Sequence, residues 1–182
     1  MESTDHELVA LVVAMGDKKA YGVLVHRYQT LVRGLLMRMT SNAALADDLS
    51  QATFIHAHKK IGTYSGKGSF KGWLCRIAHN EFLQARRKRK ATDAVLEKYR
   101  EHQDINPQAS RWDVGDAMDL DQALTQLKEP ERIAIVMCYS CGLSHSEASE
   151  AMKLPVGTIK SHINRGKIKL RQLLEEQEVV TA

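Results

Sequence analysis

Thr158, Lys160, Ser161, His162, Asn164 and Arg165 bring hydrogen-bond donors and positive charge together within a short stretch of chain. On a helix turning 100° per residue, Gly157, Thr158, Ser161, Asn164 and Arg165 fall roughly opposite Val156, Ile159, Ile163, Leu170 and Leu174, with Lys160 and His162 on the flanks. Arginine and asparagine are the standard bidentate readers of guanine and adenine edges. Lys160, Lys167, Lys169 and Arg171 suit phosphates, which position a helix without reading sequence. From Ala151 to Leu174 there are six Lys or Arg and no acid. That favours duplex DNA over an ordinary soluble helical hairpin.

A second set lies earlier in the chain. Residues 62–69, Gly-Thr-Tyr-Ser-Gly-Lys-Gly-Ser, form a polar, glycine-rich stretch. Glycine lets backbone approach a ligand closely, and Ser65, Lys67 and Ser69 offer donors to a base or its phosphate. Arg76, His79 and Asn80 lie off the apolar stripe of Phe70, Trp73, Leu74, Ile77 and Ala78. Arg86-Arg87-Lys88-Arg89-Lys90 is an unbroken run of five cations. Single-stranded nucleic acid is held by such a cationic groove combined with stacking surfaces. On composition alone a plain connector is the favoured reading of the loop, and Phe70 and Trp73 read as core aromatics.

Other chemistry is missing or incomplete. Cys138-x-x-Cys141 with His145, and Cys75 with His79, each fall short of a zinc ligand set, so structural roles are expected. There is no phosphate-binding P-loop, no HExxH and no nucleophile elbow. We expect no metal, no cofactor and no enzymatic activity.

Helical spacing carries both sets. Leu8, Leu11, Val12 and Met15 predict a first amphipathic helix ending near Gly16-Asp17, and Tyr21 through Met39 a second. Leu45, Leu49, Ala52, Phe54 and Ile55 are the apolar positions of a third helix over 44–61. A fourth starts at Phe70 and ends in the basic run. Residues 91–118 have poor periodicity and Asn106-Pro107, with a short helix around 92–102. The pattern resumes at Leu120 and runs to a Gly142 C-cap. Ser144 and Glu147 fit a capping box opening a short helix, Lys153-Leu154-Pro155 a turn, and 156–177 a longer helix. A short helix, a tight turn and a longer basic helix make a helix-turn-helix.

The whole is 182 residues, 43% hydrophobic and 26% charged, an ordinary globular composition. No apolar run approaches a membrane span, the N-terminus lacks the character of a signal peptide, and three cysteines are too few for a disulfide framework. We expect a cytoplasmic protein without membrane insertion. The net charge of +4 is uneven, being +8 over residues 1–90, −5 over 91–121 and +1 over 122–182. Two basic surfaces flanking an acidic connector suggest a polyanion gripped at two places. The expected fold is all-α: two small helical domains joined by a flexible acidic linker, the C-terminal one a helix-turn-helix.

Residues 124–174, with Leu-Thr-Gln-Leu-Lys-Glu-Pro-Glu-Arg, Gly142-Leu143-Ser144 and Leu154-Pro155-Val156-Gly157-Thr158-Ile159-Lys160-Ser161, resemble the C-terminal domain of bacterial sigma factors. Residues 7–90 resemble the other conserved sigma domain through Gly16-Asp17 with Ala20-Tyr21, Ala46-Asp47-Asp48-Leu49-Ser50-Gln51-Ala52-Thr53-Phe54, and Gly72-Trp73-Leu74-Cys75-Arg76-Ile77-Ala78-His79-Asn80. Their order and the short linker resemble the extracytoplasmic-function (ECF) class. The resemblance implies sigma domain 2 over 1–91, a linker over 92–118 and sigma domain 4 over 119–182. It implies that Thr158, Lys160, Ser161, His162, Asn164 and Arg165 meet the −35 element. Ser65, Lys67, Ser69, Arg76, His79, Asn80, Arg86 and Arg87 would meet the −10 element and promote strand opening, the loop capturing a flipped base. Asp47, Asp48, Gln51 and Phe54 would contact core RNA polymerase. The implied partners are promoter DNA, the β′ clamp helices and β flap of the polymerase, and an anti-sigma factor. Two features depart from the family: His162 stands where arginine is common, and Glu147-Ala148-Ser149 replaces a usual isoleucine–alanine pair, which predicts looser packing. The competing readings are a stand-alone helix-turn-helix regulator, which would bind duplex tightly without polymerase, and a nucleic-acid enzyme, which lacks its metal-binding carboxylates.

Overall fold

Thr4 opens the first helix by a reciprocal cap: its hydroxyl accepts from Glu7 N–H, and the Glu7 carboxylate accepts from Thr4 N–H. Helix α1 (Asp5–Met15) ends at Gly16, whose φ of 64° is the left-handed conformation glycine adopts freely. Asp17 then caps α2 (Lys18–Thr40), and Asn42 caps α3 (Ala43–Lys60). A 3-10 turn (Ile61–Thr63) leads into the glycine-rich loop, and α4 runs over Phe70–Tyr99. The computed structural model describes residues 3–99 and 120–180; the expected linker lies largely outside them. The second part comprises α5 (Leu120–Thr125), α6 (Glu129–Ile135), a π-helical turn (Val136–Ser140), α7 (His145–Met152) and α8 (Val156–Val180). Two helical domains result. Among the described residues no helix is long and apolar enough to cross a membrane.

The structure revises four details. In α1 the buried residues are Leu8, Val9 and Val12, while Leu11 and Met15 are exposed at 40% and 76%. The helix is rotated because Asp5 is held by Arg27 and Tyr28 of α2. In α3 the buried stripe is Ala46, Leu49, Thr53 and Ala57, which turns Ile55 outward, 55% exposed. Helix α4 does not stop at the basic run but continues through it, since nothing there breaks a helix. The single helix expected over 120–142 is two, because Pro130 in the first turn of α6 has no N–H to continue the ladder. The Gln126 carbonyl accepts instead from Lys169 Nζ at 2.5 Å.

The N-terminal core includes an aromatic cluster: Tyr64 meets Phe70 edge-on at 5.5 Å and lies 5.9 Å from Trp73. Trp73 is a buried core residue, as its place on the apolar stripe predicts. The C-terminal core gathers Leu124, Ile133, Val136, Met137, Ala148 and Ile159, all buried.

Candidate nucleic-acid interface

Ser144 and Glu147 form the capping box read from sequence, Glu147 N–H donating to Ser144 Oγ at 3.2 Å and Ser144 N–H to Glu147 Oε2 at 2.8 Å. Lys153, left-handed at φ 55°, stops α7, and the Pro155 carbonyl accepts from Thr158 and Ile159 to start α8. Helix α8 buries Ile159, Ile163 and Leu170, whereas Val156 and Leu174 at its ends are 38% and 37% exposed. Gly166 brings α6 close, since a Cβ there would stand 2.5 Å from Ile135 Cδ1. Ala148 and Ala151 are shut into the core, so the small residues of α7 fit rather than loosen that packing.

The six candidate −35 residues share the outer side of this helix. Lys160, Ser161, Asn164 and Arg165 are exposed, and Thr158 and His162 half-buried. Arg165 already has a partner: its Nε donates to Glu131 Oε1 at 3.2 Å, and His162 Nδ1 lies 2.9 Å from its Nη2. The Glu131 carboxylate is buried beneath it. That brace was invisible to local reading, since Glu131 and Arg165 lie in different helices.

Of the eight candidate −10 residues, Ser65, Lys67, Ser69 and Arg76 line one cleft and His79, Asn80 and Arg87 a second, and several of them are covered. Ser65 and Lys67 stay exposed in a loop turned by Gly66 and Gly68, both at φ 75°. Ser69 caps α4, its Oγ accepting from Gly72 N–H at 3.0 Å while its hydroxyl donates to Glu147 of the other domain. Arg76 lines a cleft of about 270 Å³ shared with Ser65, Lys67, Ser69, Glu147 and Glu150. His79 is buried, its Nδ1–H donating to the Ala151 carbonyl at 3.1 Å. Burial pushes its pKa below the ordinary value, so the ring is neutral. Asn80 and Arg87 line a second cleft with Lys153, and Arg86 pairs with Glu129. Burial raises the Glu147 pKa, but hydrogen bonds from Ser69 and Ser144 outweigh it and hold the carboxyl below its usual range. Further ties are Lys71 Nζ to the Gly142 carbonyl at 2.9 Å, Arg38 Nε to Asp121 at 2.8 Å and Arg132 Nη2 to the Met39 carbonyl at 3.2 Å.

A third surface is open. On α3, Asp48 and Gln51 are exposed, and Ile55 joins them at spacings of three and four. Sequence reading assigned Ile55 to the core; it instead adds an apolar contact to a polar face. Asp47 is half-buried and tied to Arg33 Nε at 2.6 Å. Phe54 is partly buried against the core.

Comparison with known proteins bears on these surfaces. The Sigma-70 region 2 family model matches residues 24–92, and the Sigma-70, region 4 model residues 117–170. Over 180 residues the chain is 35% identical to the ECF RNA polymerase sigma factor SigE of Mycolicibacterium smegmatis, covering 95% of this chain and 70% of that one. It is 34% identical over 185 residues to the ECF RNA polymerase sigma-E factor of Haemophilus influenzae, covering 96% and 95%. Among solved structures it resembles the sigma factor RpoE of Bartonella quintana, determined in complex with the anti-sigma factor NepR. That match has a TM-score of 0.71 at 25% identity and covers 86% of this chain and 98% of that one.

Proposed function

The chain belongs to the extracytoplasmic-function class of RNA polymerase sigma factors, and from that premise we propose which surfaces do its work. As a sigma factor it directs core RNA polymerase to promoters. The polymerase makes the bonds; this chain supplies position and recognition. The outer face of α8 reads the −35 element, with Ser161, Asn164 and Arg165 toward base edges and Lys160 on phosphate. The 63–69 loop, with Arg76, His79, Asn80, Arg86 and Arg87, takes the −10 element and its opened strand. Asp48, Gln51 and Ile55 on α3 dock on the β′ clamp helices, and the C-terminal domain meets the β flap. The solved relative carries an anti-sigma factor, and we extend a partner of that kind to this chain.

One observation carries the assignment: donors are exposed along α8 opposite the buried Ile159 and Ile163, while Lys67 and Asn80 sit on the other domain. The element names place their centres about 25 nucleotides apart, roughly 85 Å of duplex at about 3.4 Å per step. Two domains in direct contact cannot cover both. The contacts described above therefore belong to a closed form that opens on loading. Residues 100–119, fully extended, would reach about 70 Å, enough with the domains' own width to bridge the elements.

Transcription from a promoter library, with permanganate footprinting of the opened strand, tests the division. Lys67→Ala or Asn80→Ala should impair strand opening or −10 preference and leave −35 preference alone. Asn164→Ala should do the reverse. A shift of −35 preference alone in Asn80→Ala refutes the assignment. For the polymerase surface, Asp48→Lys with Gln51→Ala should weaken competition for core enzyme while both domains stay folded. Undiminished competition sinks the α3 contact.

A further inference from the structure

Arg165 is held along one edge of its guanidinium and free along another. The guanidinium carries five N–H donors and no acceptor. Its Nε donates to Glu131 Oε1 at 3.2 Å, and its Nη2 lies 2.9 Å from His162 Nδ1. Because arginine only donates, His162 Nδ1 is the acceptor. Nε and Nη2 make up the side edge of the planar group, and that edge is spent on the protein. The end edge pairs one N–H of Nη1 with the second N–H of Nη2. Among the described residues it has no protein partner.

The two braces come from different helices. His162 lies one turn before Arg165 on α8, at a spacing that brings side chains together. Glu131 sits in the first turn of α6, its side chain only 9% exposed. It reaches Arg165 because α6 and α8 pack closely at Gly166, where an added Cβ would stand 3.4 Å from Glu131 Cβ. Arg165 itself keeps 57% of its side chain open to solvent, on the side of α8 away from the buried Ile159 and Ile163.

We infer that Glu131 and His162 are positioning residues for −35 specificity: they fix the Arg165 guanidinium so that its end edge meets one guanine in the major groove. The inference rests on the −35 role proposed for α8 and names what that surface selects. The end edge offers two parallel N–H donors. Guanine answers with N7 and O6, two acceptors side by side. Adenine sets a donor beside its acceptor, cytosine presents a donor, and thymine a single acceptor beside a methyl group. An unbraced arginine is a long cation that does as well on any nearby phosphate, and phosphates carry no sequence information. The braces act against that in two ways. They order the side chain before binding, so less freedom is lost when the base is met. The Glu131 carboxylate also offsets the positive charge, which weakens the pull toward phosphate and leaves the directional donor pair to decide.

The experiment uses the full chain bound to core polymerase, on promoters randomised across the −35 element. Arg165→Ala marks the position where preference is lost. There the parent should favour guanine over each other base by about tenfold. Replacing that guanine with 7-deazaguanine, which lacks the N7 acceptor, should weaken binding of the parent and leave Arg165→Ala indifferent. Glu131→Leu and His162→Arg each remove an acceptor and should lose most of the guanine preference while core polymerase is still bound. His162→Arg adds a positive charge, so its lost preference is not a loss of general affinity for DNA. Glu131→Gln and His162→Asn keep an acceptor oxygen and should retain the preference, a rescue of base choice that a merely structural role would not produce. Should Glu131→Leu fail to fold, His162→Arg at its half-buried site carries the same test. A preference for another base, a response of Arg165→Ala to 7-deazaguanine, or an unchanged guanine preference in His162→Arg or in folded Glu131→Leu overturns the inference. So does loss of the preference in both Glu131→Gln and His162→Asn. An Arg165→Ala chain with every −35 preference intact fails the α8 reading itself; preference relaxed in Arg165→Ala but in neither brace variant fails this inference alone.

Discussion

The outer face of α8 and the groove formed by the 63–69 loop with α4 are both cationic, yet only the first is open. Lys160, Ser161 and Asn164 face solvent. In the groove, Ser69 and Arg86 are engaged by Glu147 and Glu129, and Glu150 lines the cleft beside Arg76. Carboxylates of the C-terminal domain occupy places that suit phosphate. On the proposed assignment the −10 surface depends on domain opening, whereas the −35 surface does not. Buried residues meet along the seam, and around them lie half-exposed ion pairs each worth roughly 0–1 kcal/mol. A partner that prefers the open form can shift such an equilibrium, and the α3 face stays free to receive one.

The largest effect is expected on the open face. Arg165→Ala should cost about 1–3 kcal/mol of −35 binding and relax preference at one or two positions. It should also lower the thermal stability of the C-terminal domain, because the buried Glu131 carboxylate loses the Arg165 guanidinium. Glu131→Gln separates the two roles: it relieves the buried charge while Arg165 stays in place to read DNA. If Arg165→Ala lowers stability with −35 preference unchanged, Arg165 is a brace for α6 and not a reader, and the open face loses its main element.

Local signals made most of the fold legible. The capping box at Ser144 and Glu147, the Gly142 stop and the Pro155 turn involve residues a few positions apart, and each is where its residue types require. The apolar stripe of α8 likewise shows in its spacing. What the sequence hid is long-range. Leu11 and Met15 fit a helical stripe as well as Val9 does, and only the tie from Asp5 to α2 decides which side is buried. Glu147 reads locally as a cap and nothing more; its second bond, to Ser69, spans 78 positions. The candidate −10 residues followed from the family resemblance, with their types in agreement, but that His79 is buried and Arg86 paired depends on how the domains meet.

A smaller effect should come from the seam itself. Gly72 leaves room for Glu147, and an added Cβ would stand 3.1 Å from Glu147 Oε1 and 3.2 Å from Ser69 Oγ. Gly72→Ala should therefore favour the open form, by about 1 kcal/mol or roughly fivefold, the scale of one lost hydrogen bond. Within α4 the same change gains up to about 1 kcal/mol of helix propensity. The expected signature is opposite in sign at two levels: a longer interdomain distance by fluorescence energy transfer, and an N-terminal domain at least as stable as before. An unchanged distance would show that the groove is not held shut at this point.

The smallest effect is a pH dependence of closure, and it isolates His79. In the closed form burial and the facing Lys153 favour a neutral imidazole and outweigh the hydrogen bond to the Ala151 carbonyl, which favours the protonated ring. Freed by opening, it returns toward the ordinary value of about 6.5. Because the closed-form pKa lies below the open-form one, the closed form binds fewer protons. Its advantage is complete above about pH 6.5 and fades as pH falls through that value toward the closed-form pKa. The Glu147 contact also weakens on acidification, since its carboxyl is held low, but that loss belongs to the lower carboxylate range. Interdomain distance followed from pH 8 to pH 5 should thus lengthen on the acid side of about 6.5, before the carboxylates titrate. His79→Gln keeps a side-chain donor without a titrating ring and should flatten that step while leaving the carboxylate step in place. A step that survives in His79→Gln would assign the dependence to another group at the seam and leave the −10 groove gated by its acids alone.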